Sequence, residues 1–94
     1  MPKDPLPRTA PRLLSDLSIG ARGCVVRLRC ERYVARRLME MGLLPGTTVE
    51  IQRVAPLGDP IELRLRGFSL SIRRSEAERI EIEAAPAGAA ASER

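Results

Sequence analysis

Side chains able to do covalent or metal chemistry are few in this sequence. Cys24 and Cys30 are its two cysteines and there is no histidine. That is too few ligands for a four-coordinate zinc or iron site and too few thiols for a disulfide scaffold. Both cysteines are expected to be free, small apolar side chains in a reducing compartment. With no histidine as general base, neither cysteine nor any serine has a sequence neighbour that would activate it as a nucleophile. Asp59, between Gly58 and Pro60, is the one carboxylate in an unusual setting, and the expectation is a turn former that bonds its own backbone. The single lysine, Lys3, lies outside any GxxxxGK(S/T) loop, which excludes a P-loop nucleotide hydrolase. Hard or borderline cations need clustered carboxylates, imidazoles or thiolates, and here the acidic residues stand singly or alternate along a segment. No catalytic residue, no cofactor and no metal site is predicted.

What the chain has in quantity is arginine. Sixteen basic residues oppose twelve acidic ones for a net charge of +4, and every basic residue but Lys3 is arginine. Arg22, Arg27, Arg29, Arg32, Arg36 and Arg37 face only Glu31 between positions 22 and 37, whereas Glu76, Glu78, Glu81 and Glu83 face only Arg79 near the end. The chain is basic early and acidic late. A single-stranded nucleic acid would also ask for aromatic rings on which bases stack. Tyr33 and Phe68 are the only rings, and Phe68 is in phase with Leu70 and Ile72 and is expected in the core. A lone tyrosine among arginines is a weak platform.

Ninety-four residues make one small domain. The longest uncharged stretches, Met41 to Val49 and Ala84 to Ser92, hold nine residues each, about half of a bilayer-spanning helix. The first dozen residues carry four prolines and an aspartate where a secretion signal needs an unbroken apolar run, so a cytoplasmic protein is expected. Residues 1–12 and 84–94 have nothing periodic to bury and are predicted to be flexible tails around a globule at 13–83.

Within the globule, Leu13, Leu14, Leu17 and Ile19 suggest one helical turn or an irregular edge strapped onto the core. A glycine-punctuated turn then leads into a first strand at Cys24–Leu28. Val34, Leu38 and Met41 recur at i, i+4 and i+7, which predicts a short amphipathic helix over 31–41, with Gly42 as its left-handed cap. Leu44-Pro45-Gly46 has the residues of a type II turn. Thr48–Ala55 alternates as a second strand, with a phase break at Arg53-Val54 that marks a bulge. Residues 61–65 and 68–72 read as a hairpin. Ser75-Glu76-Ala77-Glu78 has the form of a capping box, and Ile80 and Ile82 alternate with Glu81 and Glu83 in a fifth strand. The predicted fold is mainly β, a small SH3-like barrel of about five strands with one short helix inserted after the first strand, closed to remove its edges. Leu28, Val49, Ile51, Ile61, Leu63, Leu65, Leu70, Ile72, Ile80 and Ile82 should supply most of its core.

A barrel strand buries one face, so a partner must use the helix, the loops or the outer face. Leu43, Leu44 and Pro45 form an apolar tip after the helix, and Pro56-Leu57-Gly58 forms another before the hairpin. Either these leucines fold back to cap the barrel ends, or some stay accessible as anchors ringed by Arg36, Arg37 and Arg53. The arginine fork pairs with carboxylates while its stem covers apolar surface.

The order of signals, LSDLSIGARGCVVRL at 14–28, RLMEMGLLPGTTVEI at 37–51 and APLGDPIELRLRGFSLSIRRSEAERIEIE at 55–83, resembles the FeoA family of small cytoplasmic accessory proteins in bacterial ferrous iron transport. The resemblance covers about seventy residues, nearly all of the predicted globule. It implies an SH3-like barrel without enzymatic activity that works beside the FeoB membrane transporter, whose cytoplasmic part carries a GTPase domain. It places the protein in transition metal transport, although the residues predict that iron is not carried by this subunit. Two other readings stay open: a small basic nucleic-acid-binding barrel, and a stand-alone sensor-type domain related to the C-terminal domain of metal-dependent repressors. Any membrane association would run through the partner, and a free sheet edge or the helix tip leaves a homo-oligomer possible.

Overall fold

The computed structural model describes residues 12–85; the parts of the two predicted tails at 1–11 and 86–94 lie outside the described residues. The chain forms six strands, β1 Arg12–Leu13, β2 Arg22–Leu28, β3 Thr48–Val54, β4 Ile61–Leu65, β5 Phe68–Ile72 and β6 Ile80–Ala84, and alternating apolar and polar side chains mark β3 to β6 most clearly. They form one antiparallel sheet in the order β1-β6-β2-β3-β4-β5. Helix α1, Arg32–Glu40, follows β2, and a four-residue helix α2, Arg74–Ala77, precedes β6. The predicted strand count was one short. Arg12 pairs with Ile82 and Ala84 with Gly23, so both are paired strand residues rather than parts of loose tails. The hydrogen-bonded order also ends on β1 and β5, so it is not the fully closed cylinder that was expected.

The inner face follows the predicted phase. Val49, Ile51, Ile61, Leu63, Leu65, Leu70, Ile72, Ile80 and Ile82 are all buried, and cross-strand partners such as Ile51–Leu63–Leu70 and Val25–Ile82 stack in register. Leu28 is only partly buried and packs against this cluster. Leu14, Val25, Leu38, Leu43 and Ala77 complete the core. Each large side chain buried here contributes roughly 1.5–3 kcal/mol against an extended chain. Phe68 departs from expectation at 43% exposed. It is in phase with the core and its cross-strand partner Leu65 is buried, but it lies at the hairpin end of β5, which ends the hydrogen-bonded strand order. Ile19 is also exposed, two residues past Leu17, which follows the 3-10 turn at Leu14–Asp16 and still packs against the core.

A bulge was expected at Arg53-Val54; β3 has one just before that position, as a register shift between Ile51 and Arg53 against β4, while Arg53 and Val54 pair regularly with Glu62 and Ile61. A second shift lies between Val25 and Arg27 of β2, against β6. The hairpin joining β4 to β5 turns on Arg66 and Gly67, both at positive φ of 51° and 81°, the signature of a type I′ turn. In α2 the capping signal is displaced from the expected Ser75–Glu78 frame. Glu76 Oε1 accepts the Arg73 N–H at 2.9 Å and Asp59 Oδ1 accepts the Arg74 N–H at 2.9 Å. Two carboxylates thus satisfy amides that open this short helix. Asp59 therefore ties the β3–β4 loop to α2 instead of bonding its own backbone.

Candidate functional site

The end of α1 is built by a hydrogen-bond pattern that leaves nothing to chance about which leucine goes inside. Gly42, at φ 105°, lets its N–H reach Met39 O at 3.0 Å while the Leu43 N–H reaches Leu38 O at 3.1 Å. This is a Schellman motif, which sets Leu43 beside Leu38. Both are buried, so Leu43 caps the core and is not a surface anchor. The chain then reverses through Pro45-Gly46, with the Thr47 N–H bonded to Leu44 O at 2.9 Å and the Gly46 N–H to Val25 O at 2.7 Å. The expected type II turn is thereby stitched to β2. Leu44 and Pro45 stay exposed at this tip, and Phe68 reaches it from the hairpin, since a Cβ on Gly42 would stand 3.5 Å from Phe68 Cζ.

The second tip behaves differently. Leu57 is fully exposed at 102% and holds φ 73°, ψ 6°, a left-handed conformation that costs a branched side chain about 1–2 kcal/mol. The loop beneath it is firmly braced. Ala55 N–H bonds Pro60 O at 3.0 Å, Gly58 N–H bonds Ala55 O at 2.9 Å, and the Asp59 carboxylate holds α2. Val54, Ala55, Pro56 and Pro60 line a shallow groove with Arg53 and Ser71. A neighbouring groove is lined by Arg37 and Met41 of α1 together with Pro60 and Ser71. Shared lining by Pro60 and Ser71 makes the two one continuous surface. The structure therefore brings Arg37 of the predicted set onto one face with Arg53 and the base of the Leu57 loop. Met41, 45% exposed, Pro60 and Ser71 belong to that face and were missed. Met41 was assigned to the buried stripe of α1, and no signal in a single sequence separates the two environments.

Several of the arginines pair with glutamates within the fold. The basic segment in β2 lies beside the acidic β6, so Arg29 Nη1 meets Glu81 Oε2 at 2.8 Å and Arg27 Nε meets Glu81 Oε1 at 3.8 Å. Arg22 pairs with Glu50, Arg37 with Glu76, Arg53 with Glu62 at 3.1 Å, and Arg74 with Glu78. Charge that is polarised along the chain is thus matched across neighbouring elements. Each such exposed pair contributes at most about 1 kcal/mol. Arg36 is exposed on α1, and no ion pair joins it to any described residue. Tyr33 is exposed on the same helix.

Reactive chemistry is not assembled on this face. Burial first, and the Glu76 carboxylate second, push the Cys30 thiol up; burial and then Glu83 do the same to Cys24. Both cysteines are free, and raised thiols are poor nucleophiles near neutrality. Among the described residues no three cysteine, aspartate or glutamate side chains come together as a metal site, and no helix is long and apolar enough to cross a membrane.

A six-stranded antiparallel sheet curled around one apolar core, with a short helix inserted after its second strand, defines a small SH3-like barrel. A model of the FeoA domain matches residues 12–84. The chain belongs to the FeoA family. It is 34% identical over 79 residues to the Fe(2+) transport protein A/Fe(2+) transporter FeoB fusion protein of Porphyromonas gingivalis, a match to 84% of this chain and 9% of that one. The chain thus spans about a tenth of that curated relative's length. The solution structure of FeoA from Chlorobium tepidum superposes with a TM-score of 0.76 at 43% identity, covering 84% of this chain and 74% of that one. FeoA of Stenotrophomonas maltophilia, described as a procaryotic SH3 domain protein and solved with zinc, gives a TM-score of 0.67 at 26% identity over 77% of this chain and 89% of its own.

Proposed function

We propose that this protein is a non-enzymatic adaptor of ferrous iron uptake that acts in the cytoplasm by docking on the GTPase-bearing cytoplasmic part of a FeoB transporter. Leu57 carries this reading. An apolar side chain that is wholly exposed gains nothing on folding, and a backbone angle that favours glycine is a cost. A hydrophobic anchor waiting for a pocket accounts for both features. The rim around that face is arginine-rich, with Arg53 and Arg37 on either side of Pro60 and Arg36 on the neighbouring helix. Such a rim suits a partner surface with an apolar pocket and acidic margins. Leu44 and Pro45 extend the apolar area at the far end of α1. Fusion of the two proteins in the Porphyromonas gingivalis relative supports the choice of partner, because a fused chain keeps both parts at high effective concentration.

The test is binding of the purified protein to the purified cytoplasmic part of the transporter, with and without guanine nucleotide. Leu57→Ala should weaken association about thirtyfold or more if Leu57 is a central anchor. Arg36→Glu should weaken it less, and more at low salt than at high salt. Arg36 is the better choice than Arg37 for charge reversal, because Arg37 already holds Glu76 and its reversal would oppose two carboxylates. Equal affinity of wild type and Leu57→Ala would refute the anchor.

A further inference from the structure

The sheet's hydrogen-bonded order ends on β5, and the hairpin fixes which of its backbone groups look outward. Across a two-residue turn the flanking Leu65 and Phe68 exchange both bonds, and so in turn do Leu63 with Leu70 and Ile61 with Ile72. The N–H and C=O groups of Ser69 and Ser71 therefore point away from β4. No backbone group of any described residue bonds to them.

This edge lacks the usual protection. Phe68-Ser69-Leu70-Ser71-Ile72 contains no charge and no proline, and its pairing with β4 shows no bulge, whereas exposed edges are normally blunted by one of these. The opposite edge, β1, is only two residues long and carries Arg12. Beside β5 stands α1, separated from it by a groove of about 270 Å³ whose walls include Arg37 and Met41 on one side, Ser71 and Arg73 on the other, with Pro60 at one end.

We propose that β5 accepts an extended segment of the transporter's cytoplasmic part as an added strand, one with apolar residues at its centre and carboxylates at its ends. The inference rests on the adaptor reading above and specifies how that same face binds. Charge selects the occupant. A second copy of β5 pairing antiparallel about Leu70 would set Ser69 against Ser71 in good register, but it would also bring the arginines that flank the strand, Arg66 and Arg73, close to those of the other copy at each end. Like charges brought together in this way are unfavourable. The same arginines at the ends of the strand attract carboxylates, while Met41 and Pro60 favour apolar side chains between them. Main-chain bonds to Ser69 and Ser71 would supply affinity and the flanking side chains selectivity.

Proline offers a direct test, because it is tolerated on an edge where the N–H faces outward. Ser71→Pro removes no bond to β4 but deletes the donor offered to an incoming strand, whereas Ser71→Val keeps it. Affinity for the purified cytoplasmic part of the transporter should fall at least about tenfold in Ser71→Pro, stay near wild type in Ser71→Val, and fall in Arg73→Glu. In the wild-type complex the Ser69 and Ser71 amides should exchange with solvent at least about tenfold more slowly than in the free protein. That exchange measurement decides the matter alone if Ser71→Pro does not fold. Unprotected amides in a tight complex, or full affinity in folded Ser71→Pro while Leu57→Ala binds weakly, would overturn strand addition and leave the adaptor reading standing. Protection of both amides in a transporter-free dimer would overturn it in favour of self-pairing. Failure of the wild-type protein to bind would refute both.

Discussion

Two tips of this molecule have nearly the same composition and opposite fates. Gly42-Leu43-Leu44-Pro45-Gly46 and Pro56-Leu57-Gly58-Asp59-Pro60 each place leucine among glycine and proline, yet Leu43 is fully buried and Leu57 fully exposed. Composition does not separate them; backbone hydrogen bonding does. At the first tip the Schellman motif closes helix α1 and makes Leu43 the residue that meets Leu38. At the second there is no preceding helix to close. The bonds from Ala55 to Pro60 and Gly58 to Ala55 form a small loop with no inside, and its leucine is directed outward. One leucine serves the fold, and the other faces solvent.

The sharpest way to break this comparison is to truncate each leucine. Leu43→Ala should cost about 2–5 kcal/mol, as large-to-small changes in packed cores do, and Leu43→Asp should leave no folded protein. Leu57→Ala should change stability by less than about 0.5 kcal/mol, as for surface sites without structural contacts. Urea titrations of both variants check this. Comparable losses at the two sites would mean that the second tip is also packed. A smaller effect separates the cap from the packing. Gly42→Ala keeps Leu43 but forces a Cβ into φ 105°; the nearest atom, Arg66 Cδ at 3.4 Å, leaves room, so the backbone alone should cost about 1–2 kcal/mol.

The same contrast explains how much was legible in the sequence. Nine of the ten core residues proposed from alternation are buried, because in a half-buried strand the side-chain period of two fixes the face. The helix, its glycine cap and the Pro45-Gly46 turn were legible because each carries a local chemical signature. Two-residue β1 carries none; Arg12 and Leu13 become a strand only because β6 is there to pair with them. Phe68 has the right phase, but it stands on a strand at the end of the sheet order, and phase does not reveal which strand is at the edge. At the site, Arg36, Arg37, Arg53 and Leu57 were visible as residue types. The pairing of Arg37 with Glu76 and of Arg53 with Glu62 was not, nor was the merging of the two grooves at Pro60 and Ser71, since these are properties of the three-dimensional arrangement.

The smallest expected effect is the most discriminating, because stability and binding should move in opposite directions. Asparagine tolerates the left-handed region better than leucine does. Leu57→Asn should therefore stabilise the isolated protein, by up to about 1 kcal/mol, since the exposed leucine has no packing to lose. It should also remove the anchor and weaken transporter binding by an amount close to that of Leu57→Ala. A residue kept for the fold would show the reverse, with lower stability in Leu57→Asn and binding unchanged after allowance for the folded fraction. Thermal melts and titrations on one preparation measure both quantities. A gain in stability together with a loss of affinity would mean that the strain at position 57 is maintained for recognition.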